Sequence, residues 1–306
     1  MVFKDEEKEV IRPFPFYFVT KTKGKSSVIR IFQEDKTEME LEEDDLFERE
    51  KLYLPESSPL ERTVRSEEAE WIMRAHFKFG LKPETLYLAI NVFDRYCSLR
   101  EKRDEEEYIR LVSMASLMIA SKYEDRFPPT SAELDDLGDE RVSPQQIISY
   151  ERKILFTIEF SLMAPTPPIF LHRLLPERWS SLNPRPCPFV IDNLVVYLME
   201  ITILDGRFQV YLPSLIALSS YLLALTILKR VETFPTKESE RLRLLHSPED
   251  LKACQDDLKE FIRENKNYRY LCKKHGKASA IVDHYLKVEF INETLPPLSV
   301  LLEDSE

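Results

Sequence analysis

The side chains able to do chemistry are too dispersed to compose a reaction centre. Five histidines (His76, His172, His246, His275 and His284) are spread over 306 residues, with no pair at metal-ligand spacing. Four cysteines, Cys97, Cys187, Cys254 and Cys272, form no Cys-x-x-Cys element, and scattered thiols in a chain this long suit a reducing compartment. The five glycines (Gly24, Gly80, Gly138, Gly206 and Gly276) are isolated, so neither a Gly-x-Gly-x-x-Gly turn nor a Walker loop can be written to cradle a phosphate. No nucleophile stands beside a base in a known motif. The expectation is a protein that is not an enzyme and carries no cofactor and no metal. Two charged residues are nevertheless well placed. Lys122 ends the uncharged stretch 111–121, where a helix dipole favours a cation, and Glu151 lies about two turns into a helix opening at Ser143. Taken alone they read as a dipole-stabilised lysine and a solvated glutamate.

Scarce glycine disfavours hairpin-rich folds and points to helix. Residues 1–39 form a poorly defined leader, in which the proline-broken run Pro13-Phe-Pro-Phe-Tyr-Phe-Val19 fits neither a helix nor a central strand and reads as a segment folded onto the protein. Lys21, Lys23 and Lys25 make only a weak basic patch, and Arg49-Glu-Lys-Leu52 fits a loose Arg-x-x-Leu degradation pattern that is common by chance. An acidic run from Glu38 to Asp45 leads into Leu46, Phe47, Leu52 and Leu54, a short amphipathic helix. A regular pattern follows. Trp71, Ile72, Ala75 and Phe79 share a helical face that Gly80 closes, and Leu86, Ala89, Ile90, Phe93 and Cys97 line a second helix over 85–98. The third helix, 108–123, is apolar all round and too short to span a bilayer, so it is a buried central helix. Pro128-Pro129 ends it, 131–137 is a short fourth helix, and Ser143-Pro144-Gln145-Gln146 opens a fifth with a serine cap and proline at the first position.

The pattern then repeats. Ser247-Pro248-Glu249-Asp250 echoes Ser143-Pro144 at an offset of 104, the uncharged helix 212–228 aligns Leu215 with Leu111 at 104, and Leu194 aligns with Leu86 at 108. Two copies of a five-helix domain, joined near 163–168, follow from spacing alone. The serines and Thr226 in 212–228 lower its hydropathy and argue against a membrane helix. A net charge of −11 opposes a primary role on nucleic acid or an anionic membrane, and the charged N-terminus lacks the apolar core of a signal peptide.

Named motifs occur in fixed order. Glu84-Thr-Leu-Tyr-Leu-Ala-Ile-Asn-Val-Phe-Asp-Arg-Tyr96, Ile119-Ala-Ser-Lys-Tyr-Glu-Asp-Arg-Phe-Pro-Pro129, Tyr150-Glu-Arg-Lys-Ile-Leu155 and Pro165-Thr-Pro resemble the cyclin box. Tyr197-Leu-Met-Glu-Ile-Thr-Ile-Leu-Asp205, Tyr211-Leu-Pro-Ser214 and the late segment 268–277 resemble mitotic cyclins of the A/B type. The resemblance covers residues 40–295 and implies an all-α architecture of two tandem five-helix cyclin folds with an N-terminal helix. The implied domains are a leader at 1–39, the N-terminal helix and linker at 40–60, an N-terminal cyclin box at 61–162, a C-terminal cyclin fold at 163–295 and a tail at 296–306. The implied function is regulatory. The chain binds and activates a cyclin-dependent protein kinase in G2/M cell-cycle control, meets that kinase's protein substrates, and resides in nucleus and cytoplasm without nucleic-acid or membrane partners.

The resemblance also assigns roles. Lys122 and Glu151 match positions that hydrogen-bond the kinase backbone beside its αC helix, and Ile119, Leu155, Phe160 and Leu162 match the apolar surface packing on that helix, about half of them facing outward. Arg65 and Asp94 match a buried ion pair tying the first helix to the second. In many cyclins Met-Arg-Ala-Ile-Leu on the first helix forms a groove for Arg-x-Leu docking peptides. Counting back from Trp71, this chain has Val64-Arg65-Ser66-Glu67-Glu68 there, and although Trp71 and Ile109 remain, Arg110 and Arg74 replace a glutamine and an acid of the groove. The substrate-docking groove is therefore degenerate. The alternatives are a transcription-associated cyclin and a transcription factor of the TFIIB type, the latter requiring a zinc ribbon and basic faces that the sequence lacks.

Overall fold

The computed structural model describes residues 19–22, 25–28, 46–55, 60–99, 109–137, 142–174, 188–228 and 237–264, with short stretches between 274 and 282. The chain divides into Met1–Asp45 and Leu46–Glu306. Within the first unit, β1 (Val19–Thr22) and β2 (Lys25–Val28) pair antiparallel with Val19 opposite Val28 and Thr22 opposite Lys25. The sequence reading placed no strand here. Four β-branched residues, Val19, Thr20, Thr22 and Val28, with Lys23-Gly24 between the two runs, are the signal it passed over. The cluster Phe14 to Phe18 lies outside the described residues, as does most of 268–277.

The only regular elements among the described residues of the second unit are helices, and they make up the two tandem five-helix folds. The first is α2 (Arg62–Phe79), α3 (Pro83–Leu99), α4 (Ile109–Glu124), α5 (Ser131–Asp135) and α6 (Pro144–Thr157). The second is α7 (Pro167–Leu174), α8 (Pro188–Ile203), α9 (Pro213–Ile227), α10 (Lys237–Leu245) and α11 (Pro248–Glu264), with a 3-10 turn, Gly206–Val210, between α8 and α9. The equivalent helices α4 and α9 begin 104 residues apart, as do α6 and α11. Each fold is built around its central helix. Every residue of α4 from Leu111 to Ser121 is buried, against α2, α3 and α6. In α9 every residue from Ser214 to Leu225 is buried, against α7, α8, α10 and α11. Ser113, Ser116, Ser219 and Ser220 allow this close approach because their side chains are small, while each fully buried leucine, methionine or phenylalanine around them contributes about 1.5–3 kcal/mol. No helix among the described residues is long and apolar enough to cross a membrane.

The ends of the helices follow the local chemistry. Ser143 accepts from the Gln146 amide and Gln146 returns a bond to the Ser143 amide, and Ser247 accepts from Asp250 N at 3.0 Å. At α5, Thr130 and Glu133 form the same reciprocal box, and the Thr130 amide and hydroxyl hold the Glu133 carboxyl below its usual range. Helix α2 ends with Leu81 N donating to His76 O and Gly80 N to Phe77 O, Gly80 standing at φ 62° as this Schellman arrangement requires.

The short helix α1 (46–52) opens the second unit and is fixed by buried contacts. Leu46 and Phe47 are buried, and the Phe47 ring lies 5.6 Å from that of Phe170 in α7. Glu50, 1% exposed, accepts from Ser214 N at 2.9 Å and from Ser214 Oγ at 2.6 Å, which caps the N-terminus of α9. The Ser214 proton is thereby committed to Glu50, so His246 Nε2, 2.9 Å from Ser214 Oγ, carries the proton of that contact. Burial raises the Glu50 pKa despite these bonds, and burial lowers that of His246. Leu52, expected on the apolar face, is exposed instead: it is two residues past Glu50, on the outer side of the helix.

Candidate functional site

Lys122 and Glu151 meet where the C-terminal turn of α4 passes α6. Lys122 Nζ donates to Glu151 Oε1 at 2.6 Å, the lysine half exposed and the glutamate mostly covered. The end of α4 is held firmly below them. Asp125 accepts from Lys82 N at 3.1 Å and from the Thr85 hydroxyl, capping α3, while Lys82 Nζ donates to Glu124 O at 2.6 Å. Lys122 thus projects from a helix end anchored to its neighbour rather than from a free terminus.

The apolar residues around this pair divide. Phe160 is 47% exposed and Leu155 half-buried, one turn beyond Glu151 on α6. Ile119 and Leu162 are buried, so they support the face from beneath and do not form its surface. Phe156, which the sequence reading did not single out, is 71% exposed and packs edge-on against Phe160, ring centroids 5.3 Å apart. Phe127 is also exposed, under the guanidinium of Arg126. The signal for Phe156 was available: Ile147 and Ile154 mark the buried stripe of α6, and an aromatic two residues off that stripe has no core to enter. Phe160 follows a Schellman end of α6, in which Phe160 N donates to Leu155 O at 2.8 Å and Glu159 N to Phe156 O at 3.2 Å. Here the left-handed position falls to Glu159 (φ 53°) and continues into Phe160 (φ 56°), with no glycine.

Arg65 and Asp94 form a bidentate pair, Nε to Oδ1 at 2.9 Å and Nη2 to Oδ2 at 2.7 Å, both side chains 4% exposed. Arg65 Nη1 also donates to Ile203 O at 2.9 Å, so the pair joins the first fold to the end of α8 as well as α2 to α3. Beside it, Arg62 Nε donates to Asp205 Oδ1 at 2.8 Å, and Asp205 receives Arg207 N at 2.8 Å.

The surface around Trp71 is filled from within. Trp71 is buried, and the Arg110 guanidinium lies 5.1 Å from the centre of its ring. Arg110 donates to both oxygens of Glu68, at 2.7 and 3.0 Å, and Ser113 Oγ donates to Glu68 Oε2 at 2.7 Å. Glu68 is therefore a neutralised, buried group, whereas Glu67 is exposed and Arg74 makes only a long contact to Glu70, 3.8 Å. Ile109 is half-buried at the start of α4.

Comparison with known proteins places this geometry. Residues 35–163 match the family model described as "Cyclin, N-terminal domain", and residues 165–293 match "Cyclin, C-terminal domain". The chain is 32% identical over 183 residues to "Cyclin-B1-3" of Arabidopsis thaliana, covering 60% of this chain and 42% of that protein. It is 35% identical over 178 residues to "G2/mitotic-specific cyclin-B" of Emericella nidulans, covering 58% and 35%. To "Cyclin-A1-4" of Oryza sativa subsp. japonica it is 30% identical over 246 residues, covering 80% and 65%. The matched regions thus span between about a third and two thirds of these relatives' lengths. In fold it is similar to a viral cyclin from herpesvirus saimiri (TM-score 0.55, 19% identity, 71% of this chain and 96% of that one). It is also similar to a chain of the CAK complex of Chaetomium thermophilum (TM-score 0.51, 19% identity, 83% of each chain). Two consecutive family matches, a duplicated five-helix architecture and relatives of the A/B type lead to one conclusion: this chain belongs to the cyclin family.

Proposed function

We propose that this chain is a regulatory, non-catalytic subunit that binds and activates a cyclin-dependent protein kinase in G2/mitotic cell-cycle control. The observation that carries the proposal is the Lys122–Glu151 pair, 2.6 Å apart and flanked by exposed Phe156 and Phe160 and half-buried Leu155. A lysine donor beside a glutamate acceptor suits the carbonyl and amide of a partner's backbone, and the aromatic pair offers it an apolar rest. Such a face holds the kinase's αC helix inward, so that the kinase's own lysine–glutamate pair forms. Relatives named as G2/mitotic cyclins support this reading over a transcription-associated one. The role places the protein in nucleus and cytoplasm, acting on the kinase's protein substrates, with nucleic acid and membrane outside its partners given a net charge of −11. The groove beside Trp71 is degenerate as a substrate-docking site, with Arg110 over the ring where an apolar anchor would rest and Arg74 and Ile109 at its rim.

The test is affinity capture followed by calorimetry. A cyclin-dependent kinase should be recovered with the chain. Lys122→Ala with Glu151→Ala should cut its binding at unchanged helical content, each charged hydrogen bond contributing about 1.5–3 kcal/mol. Undiminished binding by the folded double variant removes this site, and recovery of promoter DNA in place of a kinase removes the function.

A further inference from the structure

The helix ends of α2 and α6 use the same Schellman bonds, yet only α2 has glycine at the left-handed position. At α6 two consecutive side-chain-bearing residues, Glu159 and Phe160, stand at φ 53° and 56°. Residues other than glycine and asparagine enter this region reluctantly, and they stay there only when their surroundings leave no alternative. The surroundings that do so are on the page. Ser161, the next residue, is gripped from outside the turn at its carbonyl and its hydroxyl: the carbonyl accepts from Arg95 Nη1 at 2.7 Å, and the hydroxyl donates to Tyr53 Oη at 2.9 Å. The Arg95 guanidinium lies 4.9 Å from the centre of the Tyr53 ring, closing the grip on itself. Met163 O accepts from Arg49 Nη2 at 2.6 Å, and Asn91 Nδ2 of α3 donates to Tyr53 O at 2.9 Å. Glu50, between Arg49 and Tyr53, is fastened to α9 through Ser214.

We propose that residues 49–53 are a brace that holds the Glu159–Phe160 turn in its left-handed conformation, with Tyr53 and Arg95 as positioning residues for Phe160. The link to kinase binding rests on the function proposed above, and the brace itself does not. The brace reaches the turn from outside the first fold: Tyr53 and Arg49 precede α2, and Glu50 answers to α9. Presentation of Phe160 is therefore coupled to the docking of α1 against the second fold, 164 residues away from Glu50 in sequence.

Two measurements on the whole purified chain test this. The first needs no kinase. In Tyr53→Phe, amide hydrogen exchange at Phe160 and Ser161 should rise about tenfold, with the melting temperature and the exchange of α4 unchanged. The second is a double-mutant cycle read as affinity for the kinase recovered by capture. Tyr53→Phe should weaken binding about fivefold in the parent. In a Glu159→Gly background, where the turn needs less holding, the loss should shrink below about twofold. A role in general stability would give the same fold-loss in both backgrounds, with a lowered melting temperature. That result, or unaltered exchange at 160–161, overturns the brace. If no kinase binds even the parent chain, the function proposed above falls, and the exchange measurement alone decides the brace.

Discussion

The Glu68–Arg110 pair should respond very unequally to loss of its two members. Glu68 is 7% exposed and accepts three hydrogen bonds, two from Arg110 and one from Ser113. Arg110→Gln removes the charge partner and leaves a buried carboxylate facing only neutral donors, Ser113 and the amide of the new glutamine. Breaking a buried pair in this way costs about 3–5 kcal/mol. Loss of the guanidinium from the Trp71 face adds about 0.5–1 kcal/mol. Glu68→Leu is the opposite case. Arg110, already 22% exposed, turns into water without leaving the surface, and leucine fills the vacated apolar space, so the net change stays within about 1 kcal/mol. The double variant should lie close to Glu68→Leu, so the coupling in a double-mutant cycle nearly equals the Arg110→Gln loss itself, about 3.5–6 kcal/mol. Urea unfolding followed by far-ultraviolet circular dichroism measures all four proteins. Against a total stability of about 5–15 kcal/mol, the Arg110→Gln loss is large enough to move the midpoint well outside error. Equal costs for the two single variants, or additivity in the double, would refute the reasoning, since it depends on one charge being buried and the other not.

Arg65→Met should destabilise by about 3–5 kcal/mol because Asp94 is left charged and almost wholly covered, without its bidentate partner; urea midpoints check this. Glu200 provides a pH test. Burial alone raises its pKa, but hydrogen bonds and charge from His275 and Lys274 outweigh that and bring it below the usual carboxylate range. A depressed carboxylate stabilises above its unfolded value of about 4.3 and loses that contribution as pH falls through its folded value. Melting temperatures of the parent and Glu200→Gln should therefore differ most at pH 6–7 and converge toward acid. A fluorescent Arg-x-Leu peptide should bind weakly and in a salt-sensitive manner, and tight binding at high salt that Trp71→Ala abolishes would show an open groove.

The double architecture was legible because it is written in spacing: serine–proline caps and uncharged central helices recur at one offset, and those are the features that fix where a helix starts and whether it is enclosed. The ion pair of Arg65 with Asp94 could be named through the resemblance of its motifs, which singled out Lys122 and Glu151 as well but did not pair them with each other. Long-range pairing could not. Nothing local to Glu68 announces that Arg110, 42 residues on, will neutralise it, and nothing in Glu50 announces Ser214. Ile119 and Leu162 match motif positions, but exposure depends on what packs above them, which a motif does not carry. The left-handed turn at Glu159 was hidden for a related reason: with no glycine to mark it, only the contacts around Ser161 reveal why the chain accepts that conformation.

The bond between Glu50 and Ser214 also sets a timetable. During synthesis Glu50 leaves the ribosome first, and at roughly 5–20 residues per second its partner, 164 positions later, follows after about 8–33 s. Throughout that interval α1 has no α9 to cap, and Leu46 and Phe47, destined for the interior, stay open to chaperones beside a carboxylate still in water. Among the described helices α1 is made first, yet it can be seated only once the start of α9 has been made.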